Sequence, residues 1–437
     1  LELERLNADK TDAATHKATV NKPKRRPLPD HLHTIRIEHE PASTQCACGC
    51  QLRRIGEDIS EKLHFRPAQF YKEQHVRGKW VCDQCDTLTQ QAMPAYVIDK
   101  GIASPELLSH VLVSKYADHL PLYRQRLIYQ RAGIDLSRST LSDWIGRCGV
   151  ELEPLANALK QVVLQQRVLH ADETPVTIMR MGDDEKKPKK GYVWAYATTQ
   201  YNPVQAVIYD FQDSRSGQHA AEFLNGWQGY LVCDDYSGYK ARFKSGQVIE
   251  VGCMAHARRK FHELHVTGKS QIAEQALLMI QKLYAIEAEL RKKTDGTAEQ
   301  RREYRQQHNQ PVMQQLYEWL NQHQLTVPSS SPTAKAINYS LKRWPALSRY
   351  LDDGNLPIDN NWAENSMRPW ALGRKNWLFA GSLRSGQRAA NIMTLIQSAK
   401  LNGLDPYAYL SDVLKRLPTH KVTQIEELLP HCWKPKS

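Results

Sequence analysis

Five short apolar runs crowd into residues 168–253, with helix-patterned sequence on either side, and this order limits the chain to few architectures. The runs are Val168–Ala171, Tyr192–Thr198, Val204–Phe211, Tyr230–Cys233 and Val248–Cys253, rich in the β-branched and aromatic residues that strands favour. Gly217–Leu224 has the pattern of a helix between the third and fourth runs. Residues 256–325 read as helical, charged and Gln-rich. A Pro/Ser loop follows at 326–333, and 334–352 and 387–402 are helical again. In the last of these, Ile392, Leu395, Ile396 and Ala399 form an apolar stripe, and Gly403 fits the C-terminal cap. Three strands, a helix, a strand, a helix, a strand and then helices predict a mixed α/β sheet interrupted by a helical insertion.

The chain has 437 residues, room for two to four domains. Residues 102–160 are predicted helical, opening with Ser104 as N-cap and Pro105 at the first helical position. Leu122–Arg131 and Ser139–Cys148 are two helix candidates joined by a Gly-containing turn, with Ser137 or Ser139 as the second cap. Such a pair is either an αα-hairpin or a helix-turn-helix that presents Arg138, Ser139, Thr140 and Ser142 to DNA. With 59 Lys plus Arg against 47 Asp plus Glu, the net charge is +12, which favours a polyanionic partner, most often nucleic acid. Mean hydropathy is −0.59, no apolar run approaches the roughly 18 residues of a membrane span, and no signal peptide is visible.

Five of the nine cysteines fall in two clusters, Cys46-Ala47-Cys48-Gly49-Cys50 and Cys82-Asp83-Gln84-Cys85. Two tight turns, each aiming two thiolates at one centre, make a structural tetrahedral Zn²⁺ site in a reducing compartment. The expected ligands are Cys46, Cys48, Cys82 and Cys85, with Cys50 an alternative in the compressed first cluster. Short β-type runs such as Phe70–Val76 lie between the clusters, as do Arg53, Arg54, Arg66, Arg77 and Lys79, which suit phosphate contact. Cys148, Cys233, Cys253 and Cys432 are single and read as buried or structural.

Three acids stand where a core residue would be costly. Asp172 follows the run Val168-Leu169, and Asp234 repeats that design 62 residues later (234 − 172) at the end of Leu231-Val232-Cys233. Glu364 lies in a helix that Asp359 would cap. Adjacent strands bring the two aspartates side by side, and a helix packed on the sheet adds the glutamate. Three such carboxylates suit two Mg²⁺ ions, or Mn²⁺, about 3.5–4 Å apart, the arrangement for in-line phosphodiester chemistry. Each acid alone also reads as a cap or a solvated charge.

Several ordered stretches together resemble the DDE transposases of the bacterial insertion-sequence sixty-six family. They are His170–Pro175, Cys233–Tyr239, Gly252–Phe261, Asn360–Pro369 and Gly373–Ser382. The resemblance runs from about residue 40 to the C-terminus. It implies a ribonuclease H-like sheet with Asp172, Asp234 and Glu364 as the triad, and a helical insertion in the 130 residues (364 − 234) between the last two. Cys253 and His256 look like a Cys-x-x-His element with a supporting role, with Arg259 in the same stretch. The resemblance also implies an upstream zinc-binding segment. The expected fold is therefore multidomain α/β. Residues 1–39 form a polar basic tail, in which the family's longer coiled-coil region is expected to be cut short to Leu1–Leu6. The zinc module covers 40–98 and a helical DNA-binding region 99–160. The catalytic domain covers 161–385, with its insertion at about 257–355, and a C-terminal helical element covers 386–437.

The expected activity is cleavage of the 3′ ends of a mobile element and their joining to target DNA. The expected partners are double-stranded DNA (element terminal repeats and target), further copies of the chain on that DNA and accessory proteins of the same element, in the bacterial cytoplasm at the nucleoid. Arg368, Arg374, Lys375, Arg384 and Arg388 line a phosphate track in this reading, or else a solvated basic face. Trp362, Trp370 and Trp377 either pack in the core or stack on DNA. The alternatives are a transposase-derived DNA-binding protein without catalysis and another nuclease of the same fold.

Overall fold

In the computed structural model, the described residues are 70–75, 79–81, 88–90, 92–99, 101–179, 187–244, 246–293 and 296–435. The chain divides into two units, Leu1–Gln74 and His75–Ser437. All five clustered cysteines lie outside the described residues, as do Arg53, Arg54, Arg66 and Arg77. Of the first unit, residues 70–74 are described and form no strand, contrary to the reading of Phe70–Val76; Phe70 and Tyr71 are exposed and bury no face that would fix a register.

The second unit opens with a two-stranded ladder, β1 (Lys79–Val81) and β2 (Leu88–Gln90), antiparallel with Lys79 opposite Gln90 and Val81 opposite Leu88. Four helices follow: α1 (Pro105–Tyr116), α2 (Leu122–Arg131), α3 (Arg138–Glu151) and α4 (Glu153–Leu164). Their starts are written locally. The Ser104 hydroxyl accepts from Leu107 N at 3.2 Å with Pro105 at the first position, and the Ser137 hydroxyl accepts from Thr140 N at 3.0 Å. Gly133, at φ +79°, makes the turn between α2 and α3 that a side chain would strain.

The sheet comprises β3 (Val168–Ile178), β4 (Lys189–Thr198), β5 (Val207–Gln212), β6 (Gly229–Val232) and β7 (Val248–Val251). Between β5 and β6 lies α5 (Gly217–Phe223), and between β6 and β7 lies the short α6 (Lys240–Lys244). Three insertion helices follow, α7 (Met254–Gly268), α8 (Gln271–Lys293) and α9 (Ala298–Thr326), then α10 (Pro332–Lys342) and the short α11 (Trp344–Ser348). The chain returns to the sheet with α12 (Asn361–Trp377) and β8 (Phe379–Ala380), and ends with α13 (Leu383–Leu401) and α14 (Pro406–Arg416). Strand order is β5-β4-β3-β6-β7; the first three are antiparallel, whereas β6, β7 and the two-residue β8 run parallel to β3. All five predicted runs are strands and Gly217 does begin a helix. β8, too short to carry a periodic pattern, has no counterpart in the sequence reading.

Two buried clusters hold this unit together. The first runs without a break from Leu108 and Val111 on α1, through Leu141 and Trp144 on α3 and Trp194 and Tyr196 in the sheet, to Leu395 on α13 and Leu410 on α14. The helical region, the sheet and the C-terminal element thus share one core. The second cluster belongs to the insertion: Phe261, Ile280, Leu283, Leu316 and Ile337 pack against Val168, Val232 and Val251 of three neighbouring strands. The α13 stripe is buried as predicted, and Gly403 adopts φ +70° just beyond that helix.

Candidate active site

Strand register brings the two aspartates together. β3 and β6 pair in parallel with Val168 opposite Tyr230 and His170 opposite Val232. Asp172 lies two residues past His170, and Asp234 two past Val232. Asp234 lies just past the end of β6, and extending the register by two residues, with a period of two, carries both acids toward one face of the sheet. Glu364 enters from above that face, in the first turn of α12.

A buried polar knot sets where α12 begins. Asn360, the N-cap of α12, accepts at Oδ1 from His170 Nδ1 at 2.8 Å, donates from Nδ2 to Ala171 O at 2.9 Å, and donates its backbone N–H to Cys253 Sγ at 3.2 Å. One residue thus joins β3, α12 and the start of α7. Burial pushes the His170 imidazole down to about 4, so it stays neutral near pH 7 and donates this bond from Nδ1. Asp359 is not the N-cap predicted; it sits one position earlier, taking Asn361 N at 3.0 Å and the Tyr284 hydroxyl at 2.8 Å. Asn360 caps without a side-chain bond because its amide is spent on β3.

The electrostatics single out Asp172. Burial is the main cause that raises its carboxyl to about 8, followed by the neighbouring Glu173 and the charges of Glu364 and Asp234; only the bond from Glu173 N to Oδ1, 2.9 Å, opposes this. The three predicted acids therefore interact across one face of the sheet. Their immediate neighbours are differently occupied. Asp235 is held by Lys240 at 2.6 Å and by Arg343, whereas Asp234 accepts Tyr236 N at 2.9 Å. Glu173, on the opposite face of β3, accepts from Arg215 Nε at 2.9 Å and from the Tyr239 hydroxyl at 3.1 Å. Cations thus pair with Asp235 and Glu173, the acids next to Asp234 and Asp172 in the chain.

Glu364 meets the second predicted group. His256 Nδ1 is 3.7 Å from its Oε1, and Arg259 Nη2 is 3.6 Å from its Oε2. Cys253 Sγ, His256 and Glu364 present ligand atoms all within 4.8 Å of one another. Burial lowers the His256 imidazole, against the pull of Glu364, and raises the Cys253 thiol to about 12.

The predicted DNA contacts fall in two places. On α12, Glu364, Arg368 and Lys375 follow one another at spacings of four and seven, one stripe of the helix, and both cations are exposed. Arg374 faces inward instead, donating to Thr174 Oγ1 at 2.8 Å and Pro175 O at 2.6 Å, which staples α12 to β3. Arg384 is exposed at the start of α13, and the half-buried Arg388 lies across α3, where a Cβ on Gly149 would fall 2.6 Å from its own Cβ. On α3, Arg138 and Ser142 are exposed, and Thr140 is engaged with the Ser137 hydroxyl. Trp370 is core; Trp362 and Trp377 are partly buried against it.

Sequence reasoning passed over His170, Asn360 and Arg343. The first two stand beside the predicted acids as polar residues in apolar surroundings, a usable signal. Arg343 carries none: it reaches the Asp234–Asp235 loop from 108 residues away.

Comparison with known proteins matches successive parts of the chain to one family. The profile of the Transposase IS66 family matches residues 100–388, that of the IS66 C-terminal element matches 394–431, and that of the zinc-finger binding domain of transposase IS66 matches 43–86. Among relatives in Sinorhizobium fredii (strain NBRC 101917 / NGR234), Uncharacterized protein y4qI is 38% identical over 96% of this chain and 80% of its own length. Uncharacterized protein y4hP is 35% identical over 95% and 78%. With its sheet, its C-terminal element and its zinc-finger segment matched in one order, the chain belongs to the IS66 transposase family.

Proposed function

We propose that this chain cleaves the ends of a mobile DNA element and joins them to target DNA, using Asp172, Asp234 and Glu364 as a two-metal site. The observation that carries the reading is the gathering of the acids at the end of β3: Asp172 is half-buried beside the β6 end that bears Asp234 and the α12 turn that bears Glu364, and after burial and Glu173 the charges of both raise its carboxyl. Such a group is poorly solvated and lacks a cation, which is the condition of a metal ligand without its metal. The strand order, with three antiparallel strands followed by two parallel ones, fits the ribonuclease H-like sheet that the resemblance implies and supports the same assignment.

The donor set fits Mg²⁺ or Mn²⁺: three hard carboxylates on one face, with Glu364 Oε1 buried and making no hydrogen bond among the described residues. Bound there, such ions activate the attacking oxygen and stabilise the leaving oxygen of a phosphodiester. The chain's own residues do the rest. The knot at Asn360 fixes the helix that bears Glu364 against the strand that bears Asp172. Arg343 and Lys240 hold Asp235 aside. Arg368 and Lys375, exposed beyond Glu364, supply positive charge along the path of the DNA backbone. Cys48, Cys82 and Cys85, with Cys46 or Cys50 as the fourth ligand, hold a structural Zn²⁺. The zinc segment and the α2–α3 pair, with Arg138 foremost, bind element ends, and the reaction runs on a DNA-bound oligomer with the element's accessory proteins.

The test is transposition of a complete element in cells, with only this chain altered. Asp172→Asn, Asp234→Asn and Glu364→Gln each lower transposition more than about 100-fold while the purified variants still bind end DNA. Wild-type frequency in any of the three overturns the assigned triad. Binding of end DNA with no cleavage by wild type supports instead a DNA-binding protein without catalysis.

A further inference from the structure

Cys253, His256 and Glu364 form a group whose chemistry differs from that of the three carboxylates. A soft thiolate, a borderline imidazole and a hard carboxylate is the ligand mixture of Zn²⁺ and similar cations, and it is a poor match for Mg²⁺. The geometry is near what such an ion needs. The three ligand atoms lie within 4.8 Å of one another, and His256 Nδ1 and Glu364 Oε1 are 3.7 Å apart. Adjacent ligands of a tetrahedral ion with bonds of about 2.0–2.3 Å stand a little closer than this, so a small inward shift completes the set.

Two independent observations point to a ligand between them. His256 Nδ1 and Glu364 Oε1 are both buried atoms that make no hydrogen bond among the described residues, although they face each other. Buried polar atoms are normally satisfied, and a pair left open toward a common point is the exception to be explained. The Cys253 sulfur, in turn, is held as a thiol by burial but already has a donor aimed at it. It accepts the Asn360 backbone N–H at 3.2 Å and belongs to the N-cap residue of α7, where the helix dipole favours an anion. Backbone N–H donation to the sulfur is common where a thiolate binds a metal, because it offsets charge on the ligand. Arg259 takes the other oxygen of Glu364 at 3.6 Å and leaves Oε1 for the ion. Cys253 is fully buried, but the His256 and Glu364 side chains are partly exposed, which gives an ion a way in.

We propose that Cys253 Sγ, His256 Nδ1 and Glu364 Oε1 form a binding site for a thiophilic divalent cation, Zn²⁺ in first place, with a fourth position open to water. On binding, the Cys253 thiol releases its proton to solvent and the imidazole binds as the neutral Nε2–H tautomer, giving up the contact that its Nε2 accepts from Arg259 Nη1 at 3.5 Å. The site shares Glu364 with the carboxylate site proposed above. Resting on that reading, occupation by Zn²⁺ withdraws Glu364 from the two aspartates, so that Zn²⁺ opposes the Mg²⁺-dependent reaction.

The test is a Co²⁺ titration of the metal-free full chain, counting equivalents and following thiolate-to-cobalt charge-transfer absorption. The cysteine clusters contribute equally to wild type and variants. Wild type binds one equivalent more than Cys253→Ser, and part of the charge-transfer absorption is lost in that variant. His256→Gln, which alters a partly exposed side chain and spares the buried core, weakens the extra equivalent about 10-fold or more. Equal stoichiometry and affinity in wild type, Cys253→Ser and His256→Gln overturns the proposal. Asp172→Asn separates the two sites: it retains the extra equivalent, whether or not it abolishes transposition.

Discussion

Asp172 is the residue at which fold and chemistry conflict. Its folded-state pKa of about 8 lies above the ordinary 3.8, so between those values the folded protein keeps a proton that the unfolded chain releases. Without metal, stability contributed by the protonated carboxyl is complete below about pH 4 and is lost as pH rises through about 8. Two expectations follow for thermal melts in the presence of a chelator. Wild type loses melting temperature from pH 5 to pH 8.5, and Asp172→Asn flattens that loss and melts a few degrees higher at the upper end. Mg²⁺ raises the melting point of wild type at pH 8 and leaves the variant nearly unmoved. Asn360 is the opposite kind of residue, with every polar group satisfied. Asn360→Ala strips partners from His170 Nδ1 and Ala171 O in a buried place, which costs about 2–4 kcal/mol in urea unfolding and lowers transposition through the displaced Glu364.

The insertion helices are held by a buried ion pair as well as by apolar packing. Arg305 on α9 donates through Nε and Nη2 to the two oxygens of Glu287 on α8, at 2.8 and 2.9 Å, and through Nη1 to Tyr350 O and Leu356 O. Asn309 adds a bond to Glu287 at 2.9 Å. Both charges are essentially inaccessible, so the pair is strong only while complete. Glu287→Ala leaves the guanidinium unpaired and costs about 3–5 kcal/mol; replacing both partners by Met and Leu costs less. Urea midpoints of the single and double variants check this. Packing of α13 on the sheet has a different sensitivity. A Cβ on Gly386 would run into the Phe211 ring, so Gly386→Ala costs about 1–3 kcal/mol despite its better helix propensity.

The continuous first core makes the C-terminal element part of the sheet's support. Tyr409, Leu410, Val413 and Leu414 of α14, with Leu428 and Leu429 beyond it, are fully buried. Each contributes roughly 1.5–3 kcal/mol by burial, and their sum rivals the 5–15 kcal/mol by which a whole domain is stable. A chain ended after Gly403 is therefore expected to lose its cooperative melt and its solubility. A sharp transition at the wild-type temperature would show that the element is an appendage. Among the described residues, no helix is long and apolar enough to cross a membrane.

Local chemistry was legible without coordinates. Ser104 and Ser137 cap their helices, Gly403 takes the left-handed turn and five apolar runs became five strands, while the two aspartates stand out in the sequence because an acid ending an apolar run has no packing reason to be there. These signals are short-range: capping, φ preference and two-residue alternation are properties of neighbours along the chain. Asn360 as the hinge pin of α12, Arg343 on the Asp234–Asp235 loop, the inward turn of Arg374, the strand β8 and the single core shared by 105–164 and the sheet were not legible. Each depends on a contact across tens to about two hundred residues, and composition at either end says nothing of the other. The residues thus named the parts and their order. Which face Asp172 and Asp234 share, and that Glu364 meets Cys253 and His256 there, was decided only when parallel register and one buried amide drew distant segments together.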